Sequence, residues 1–260
     1  MDNGTVRLSV EELALVLTNQ GLQSAAENLV VAQLGAMHRE EYRARLIAAA
    51  HALMARGWLE LTTGGEFMIA ESIARLGRVV THPDFSIRYS RSNRDQEFNQ
   101  TYHFLQGEIF AHTLEQGVVH VIDPINDRDA IARGGLEFFH TAHAPAFSSQ
   151  AIDIPNSAMS AIKDLDDAVA IAQRLADLGL DQEARARFAE DVAHTQFRGS
   201  VMRIEYGADN SAVSNRGFFI LRGAERLWLL RPFQRDQEEW LSLLPGTSEN
   251  IQQEIRGLLS

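Results

Sequence analysis

The chain has 260 residues, with 35 Asp plus Glu against 24 Lys plus Arg and a net charge of −11, spread evenly as −6 over residues 1–150 and −5 over residues 151–260. Neither half is basic, which argues against a nucleic-acid surface as its main business, and the absence of cysteine excludes disulfides, thiolate metal sites and Cys nucleophiles. No apolar run approaches a membrane span, and Met1-Asp-Asn-Gly-Thr-Val-Arg7 is not a charged-then-apolar leader, so a soluble cytoplasmic protein without membrane insertion is expected.

Ser9-Val-Glu-Glu12 fits a capping box and predicts a helix start, with Leu13, Val16 and Leu17 at helical spacing up to Gly21. A second short helix is expected from Ser24 to Leu34. A longer one is expected from Arg39 to Arg56, burying Tyr42, Leu46, Ala49, Ala50, Leu53 and Met54. Trp58 to Thr62 and Glu66 to Ile69 read as a hairpin across Thr63-Gly64-Gly65, and Ser72 to Val79 as a helix broken at His82-Pro83. Strands follow over Phe85–Tyr89, Tyr102–Gly107, Ile109–Leu114 and Val118–Pro124, with Arg91 to Gln100 a polar loop, and then a helix over Asp127–Phe139. His140 to Ser157, with Pro145 and Pro155, reads as a linker. Helices are expected over Ser157–Gly179 and Asp181–Thr195. Strands over Met202–Tyr206, Phe218–Gly223, Leu227–Leu230 and Glu239–Pro245 and a helix over Ser248–Leu259 close the chain.

The strand-rich segments and their following helices repeat in order. Tyr89 falls on Tyr206, Leu105 on Leu221, Gly107 on Gly223 and Pro124 on Pro245, with offsets between 116 and 121 residues. The expected fold is α+β. It is a single domain over 1–260 with two halves related by a pseudo-twofold, 1–139 and 158–260, joined by a connector over 140–157. Each half is an antiparallel sheet with helices, and the N-terminal helical segment is winged-helix-like.

Chemical motifs are sparse. His103, His112 and His120 fall on three successive predicted strands, where imidazoles could come within ligand distance, but without HExxH spacing they read as surface or half-buried strand histidines, and His140-Thr-Ala-His143 is likewise weak. Asp123, Asp127 and Asp129 lack the pattern of a calcium loop, and Asp127 or Asn126 is better read as a helix cap. G-x-S-x-G, P-loop and G-x-G-x-x-G motifs are all missing. The expectation is a protein without cofactor, metal or catalytic residues. Arg39, Arg43 and Arg45 on the third helix and a wing tip at Gly64-Gly65 support a winged-helix DNA-binding regulator as the alternative. Aromatics with arginines beside them are the usual anchors of protein interfaces. On that ground Phe98, Phe110, Trp228, Arg231 and Phe233 are the candidate partner-binding residues, with Trp240, Arg226 and Arg235 near them.

Arg56-Gly-Trp-Leu59, Ile73-Ala-Arg-Leu76 leading to Pro83-Asp84, Gly199-Ser-Val-Met-Arg-Ile-Glu-Tyr206, Arg216-Gly-Phe-Phe-Ile-Leu-Arg-Gly223 and the terminal helix together resemble the EspG family of ESX, or type VII, secretion-associated chaperones. The resemblance covers most of the chain. It implies a cytosolic, non-enzymatic chaperone that binds the helical tip of a secreted PPE-type partner. It marks no partner-binding residue that can be carried across by position.

Overall fold

A computed structural model describes residues 4–141, 147, 151–207 and 211–260. The chain divides into two compact units, each discontinuous in sequence: unit 1 is Met1–Ser86, Gln100–Asn126 and Glu205–Val213, and unit 2 is Ile87–Asn99, Asp127–Ile204 and Ser214–Ser260.

Unit 1 opens with strand β1 (Val6–Ser9), which runs directly into helix α1 (Val10–Asn19). The capping box forms: the Ser9 hydroxyl accepts from the Glu12 amide at 3.2 Å, and Glu12 Oε2 accepts from the Ser9 amide at 2.8 Å. Ser9→Ala is expected to cost about 1 kcal/mol, read as a lower urea midpoint. Helices α2 (Gln23–Leu34) and α3 (Arg39–Ala55), the hairpin β2 (Leu59–Leu61) and β3 (Phe67–Ile69), and α4 (Glu71–Thr81) follow. On α3, Ala49, Ala50 and Leu53 are buried, while Tyr42, Leu46 and Met54 are half-buried against the same core. Arg45 of α3 bonds to both Glu11 and Glu41. Strands β5 (Glu97–Leu105, its first residues in unit 2), β6 (Glu108–Glu115) and β7 (Val119–Ile125) form an antiparallel meander, and β1 pairs with β7, giving the order β1-β7-β6-β5. Leu8, Leu13, Val16, Leu53, Ile73, Phe110 and Ile122 are among the buried residues of this core.

Unit 2 holds most of β4 (Phe85–Ser92) together with α5 (Arg128–Phe138), β8 (Ile152–Pro155), α6 (Asn156–Ile162), α7 (Ala168–Arg174), α8 (Gln182–Ala193), β9 (Phe197–Tyr206), β10 (Ala212–Arg222), β11 (Leu227–Arg235), β12 (Glu238–Pro245) and α9 (Ser248–Leu259). Its strand order is β4-β9-β10-β11-β12-β8. Leu221, Trp228, Leu230, Leu241, Leu243, Ile152 and Ile154 face α6, α7 and α8, which contribute Ile162, Ile171, Leu175 and Phe188. Asp127 caps α5 and Thr247 caps α9.

Several expectations change. Within the stretch 140–157, read from sequence as the connector, residues 152–155 form the edge strand β8, paired with β12 through Ile154↔Leu241 and Ile152↔Leu243. His143 and Pro145 lie outside the described residues. The helix expected over Ser157–Gly179 is broken: α6 ends at Ile162, and Asp167 caps a new helix by accepting from the Val169 amide at 2.8 Å. The polar loop expected over Arg91–Gln100 shrinks to a turn, so Phe98 lies on β5.

Candidate functional site

The five residues picked from sequence divide into core and surface. Trp228 is fully buried, packed edge-on against Phe188 and Phe147, with its indole N–H donating to Asp191 Oδ2 at 2.8 Å. Phe110 is buried in the core of unit 1, under the guanidinium of Arg75. These two rings are core residues and not partner anchors, because each stands on the strand face that helices or helical side chains cover, where removal of apolar area from water stabilises the fold. Phe98 is 38% exposed. Arg231 is exposed and pairs with Glu254 of α9. Phe233 is half-buried beside Trp240, with ring centroids 6.4 Å apart, and Arg235 lies over both rings while binding Asp153 at 2.7 Å. The tip of the β11–β12 hairpin is thus an aromatic platform held by one arginine.

Two open clefts meet on unit 2 at Phe219. One, of about 430 Å³, is lined by Met202, Gly217, Phe219, Pro232, Phe233 and Trp240 with polar neighbours. The other, of about 320 Å³, is lined by Ser90, Arg91, Ser92, Glu97, Arg198, Gly199, Ser200 and Phe219. Phe219 is 41% exposed, whereas its neighbour Phe218 is buried. Successive side chains of a strand point to opposite faces, so the pair Phe218-Phe219 places one ring outside, a signal present in the sequence but not used there. Gly199 lets the strand pack closely here, since a Cβ at that position would stand 2.9 Å from the Ser90 carbonyl oxygen and 2.6 Å from the Phe139 ring.

The side chain of Arg91, also missed from sequence, reaches the face of the sheet that α5 covers, as does that of Tyr89 two residues earlier. Its Nη1 donates to the Phe138 carbonyl at 2.9 Å, at the C-terminal end of α5 where unpaired carbonyls await donors. The Phe98, Phe138 and Phe197 rings lie 4.7, 5.5 and 5.5 Å from the guanidinium carbon. Burial among these rings pushes the guanidinium below its ordinary pKa.

The three strand histidines do come together. In unit 1 they form a diagonal across β5, β6 and β7, because the register pairs Thr101 with His112 and Leu114 with His120. His103 Nε2 is 3.2 Å from His112 Nδ1, and His112 Nε2 is 2.8 Å from His120 Nδ1. At the head of the chain, Ser86 Oγ lies 2.9 Å from His103 Nδ1, and the Tyr206 hydroxyl donates to Ser86 Oγ at 3.3 Å. At the other end His120 Nε2 is buried without a partner among the described residues. Desolvation pushes His103 and His120 down to about 4. It pushes His112 to about 3, with the charges of its two neighbours adding to the effect. The ring nitrogens face one another in a line, and among the described residues no group of three or more His, Asp or Glu converges to hold a metal ion. No helix among the described residues is long and apolar enough to cross a membrane.

The arrangement of helices and antiparallel strands is that of a known α+β fold. It is similar to the Mycobacterium tuberculosis type VII secretion system chaperone EspG5, solved in complex with the PE25-PPE41 dimer, with a TM-score of 0.68 and 13% identity, covering 98% of this chain and 95% of that one. The resemblance read from the sequence therefore holds at the level of fold. The chain itself belongs to the YfjC family: the family model described as "Uncharacterised protein YfjC" matches residues 5–255. It is 22% identical over 254 residues to the "Uncharacterized protein YfjC" of Bacillus subtilis (strain 168), covering 95% of this chain and 97% of that protein.

Proposed function

We propose that this protein is a non-enzymatic cytoplasmic chaperone or adaptor that binds a helical segment of a secreted protein partner on the cleft surface of unit 2. The observation that carries the reading is the cleft of about 430 Å³ in which the exposed Phe219 stands with Met202, Phe233 and Trp240 among the lining residues. The likeness of its fold to a chaperone solved with its bound partner supports it. The physical action is shielding. A partner whose apolar helix face is covered by these rings has less surface available for aggregation, and the complex lowers the free population by mass action.

Of the residues picked from sequence, Phe233 lines this cleft, and Phe219 adds the central contact. Aromatic anchors of interfaces are worth about 2 kcal/mol or more each, so Phe219→Asp is expected to weaken partner binding by about thirtyfold, with an unchanged urea midpoint. The experiment is affinity capture of the tagged chain from its native cells with mass spectrometry, followed by calorimetric titration of the recovered partner. A small helical partner at near-equal stoichiometry whose binding drops with Phe219→Asp supports the reading. Undiminished binding by Phe219→Asp would remove this surface from the function, and recovery of duplex DNA in place of a protein would replace the chaperone by a regulator.

A further inference from the structure

Strand β8 ends the sheet of unit 2, with β12 as its one neighbour among the described residues. Which of its backbone groups face outward follows from the ladder beside it. Gly246 donates to the Leu227 carbonyl, and the register runs unbroken from there to Arg235↔Glu238. Bonded and non-bonded pairs alternate along an antiparallel ladder, so Leu241 and Leu243 turn their N–H and C=O groups away from β11, toward Ile154 and Ile152. Pro155, opposite Trp240, then falls at a pair that needs no N–H. Asp153 lies between the two isoleucines and points its own N–H and C=O to the open edge. Native edges are usually blunted, and β1 shows how: the Arg7 carbonyl accepts from Arg56 Nη1 at 3.0 Å, and the Ser9 amide donates to Glu12 at 2.8 Å. Among the described residues no side chain caps Asp153 in this way.

A cleft of about 390 Å³ runs between this edge and the start of α8. Ile152 lines its strand side, and Leu180 and Ala184 line its helix side, all three on the sheet face that α6, α7 and α8 cover. A strand added to β8 would turn the residues opposite Ile152 and Ile154 to that same face, so its side chains would reach the cleft. Asp181 and Glu183 stand on the rim, where the one cation, Arg187, is already paired with Glu183. The rim therefore favours a basic segment. It disfavours a second copy of this chain, since two β8 edges joined across a twofold would set their acidic rims against each other. We propose that the β8 edge takes an extended, lysine- or arginine-bearing segment of a protein partner as an added strand, with one of its apolar side chains entering the cleft between Ile152, Leu180 and Ala184. Main-chain bonds would supply the affinity and the cleft the selectivity, as in other cases of strand addition. The site shares no lining residue with the Phe219 cleft and does not depend on it.

The test is selection of random displayed peptides against the immobilised full chain. Enrichment of an apolar residue with Lys or Arg beside it is expected. For a selected peptide, methylating its backbone amides one at a time should alternate between a loss of at least about tenfold and no loss, the signature of a strand bonded along one edge. Asp153→Pro removes the outward N–H at an edge position that tolerates proline and should reduce binding by a similar factor. Asp153→Ala gives up the contact with Arg235 but keeps the N–H, and should bind as the wild type does, as should Phe219→Asp. Amide methylation without effect, undiminished binding to Asp153→Pro, or the absence of any enriched peptide would overturn the proposal. So would peptides lost only in Phe219→Asp, which would occupy the other cleft and leave the chaperone reading standing. A dimer in sedimentation that Asp153→Pro dissociates would give the edge to a second copy and overturn it as well.

Discussion

Trp228→Ala is expected to lower the free energy of unfolding by about 3–5 kcal/mol, the range for removing a large buried aromatic, and to act through the fold before any effect on a partner. The ring is fully buried between Phe188 and Phe147, and its N–H donates to Asp191, a fully buried carboxylate on α8. Asp191 Oδ2 also binds Arg226 Nε at 2.7 Å, and Asp191 Oδ1 has no partner among the described residues. One carboxylate thus clamps α8 onto the start of β11, and Gly223 lets it come close, since a Cβ there would stand 2.3 Å from Asp191. Trp228→Phe separates the two contributions: it keeps most of the ring contacts and removes one hydrogen bond to a charged group, a loss of about 1.5–3 kcal/mol. Asp191→Ala strands both Arg226 and the indole N–H and is expected to cost about 3–5 kcal/mol. The two sites share one interaction, so their effects should fall short of additive in a double variant. Urea unfolding followed by far-UV circular dichroism measures all four. A Trp228→Ala midpoint equal to that of the wild type would mean that the indole is not a core element.

Local signals made much of the fold readable. The Ser9 capping box, the Gly-Gly hairpin and the strand-then-helix order all depend on neighbours a few residues away, and all are present. What was missed depends on distant pairing. Strands β1 and β8 have four residues each, and they exist because β7 and β12 offer them open edges. The matched pair Gly107 and Gly223 looked equivalent, yet Gly107 turns a hairpin at φ +84° whereas Gly223 makes room for Asp191. Tyr89 and Tyr206 differ likewise, one bonding the Ile131 carbonyl and the other Ser86. The site was less legible because exposure along an apolar strand is decided by what packs above it. Leu227 to Leu230 is unbroken apolar sequence, so nothing in it marked Trp228 as buried, and Arg91 stood in a stretch read as loop. The histidine diagonal needed the strand register, which spacings of nine and eight residues do not supply.

Lowering the pH from 7.5 to 5.5 is expected to cost unit 1 about 3–4 kcal/mol, a large part of the stability of an ordinary domain. The ordinary histidine value is 6.5, and His103, His112 and His120 stand at about 4, 3 and 4 in the folded chain, with desolvation the leading cause in each. Their folded values are depressed, so the unfolded state binds protons first. The stability is full above pH 6.5 and is lost as the pH falls through 6.5 toward about 4. At pH 5.5 each histidine costs about 1.4 kcal/mol if none is protonated in the fold. The hydrogen bonds explain why the total falls slightly short of three such contributions. A single proton can sit on His112, which then donates to His103 Nε2 and His120 Nδ1, with His103 Nδ1 donating in turn to Ser86. A second proton forces an N–H against an N–H across 3.2 or 2.8 Å, so the three rings titrate as one coupled group that accepts one proton reluctantly and refuses the next. Asp127, whose carboxylate is held low by its hydrogen bond to Arg133, loses its contribution only at lower pH, outside the window in which the histidines act. Urea midpoints at pH 7.5, 6.5 and 5.5 give the slope, and hydrogen exchange of β5, β6 and β7 locates it. His112→Gln removes the central titrating ring and should flatten the slope by about a third or more, whereas a slope unchanged by that substitution would place the acid sensitivity elsewhere in the chain.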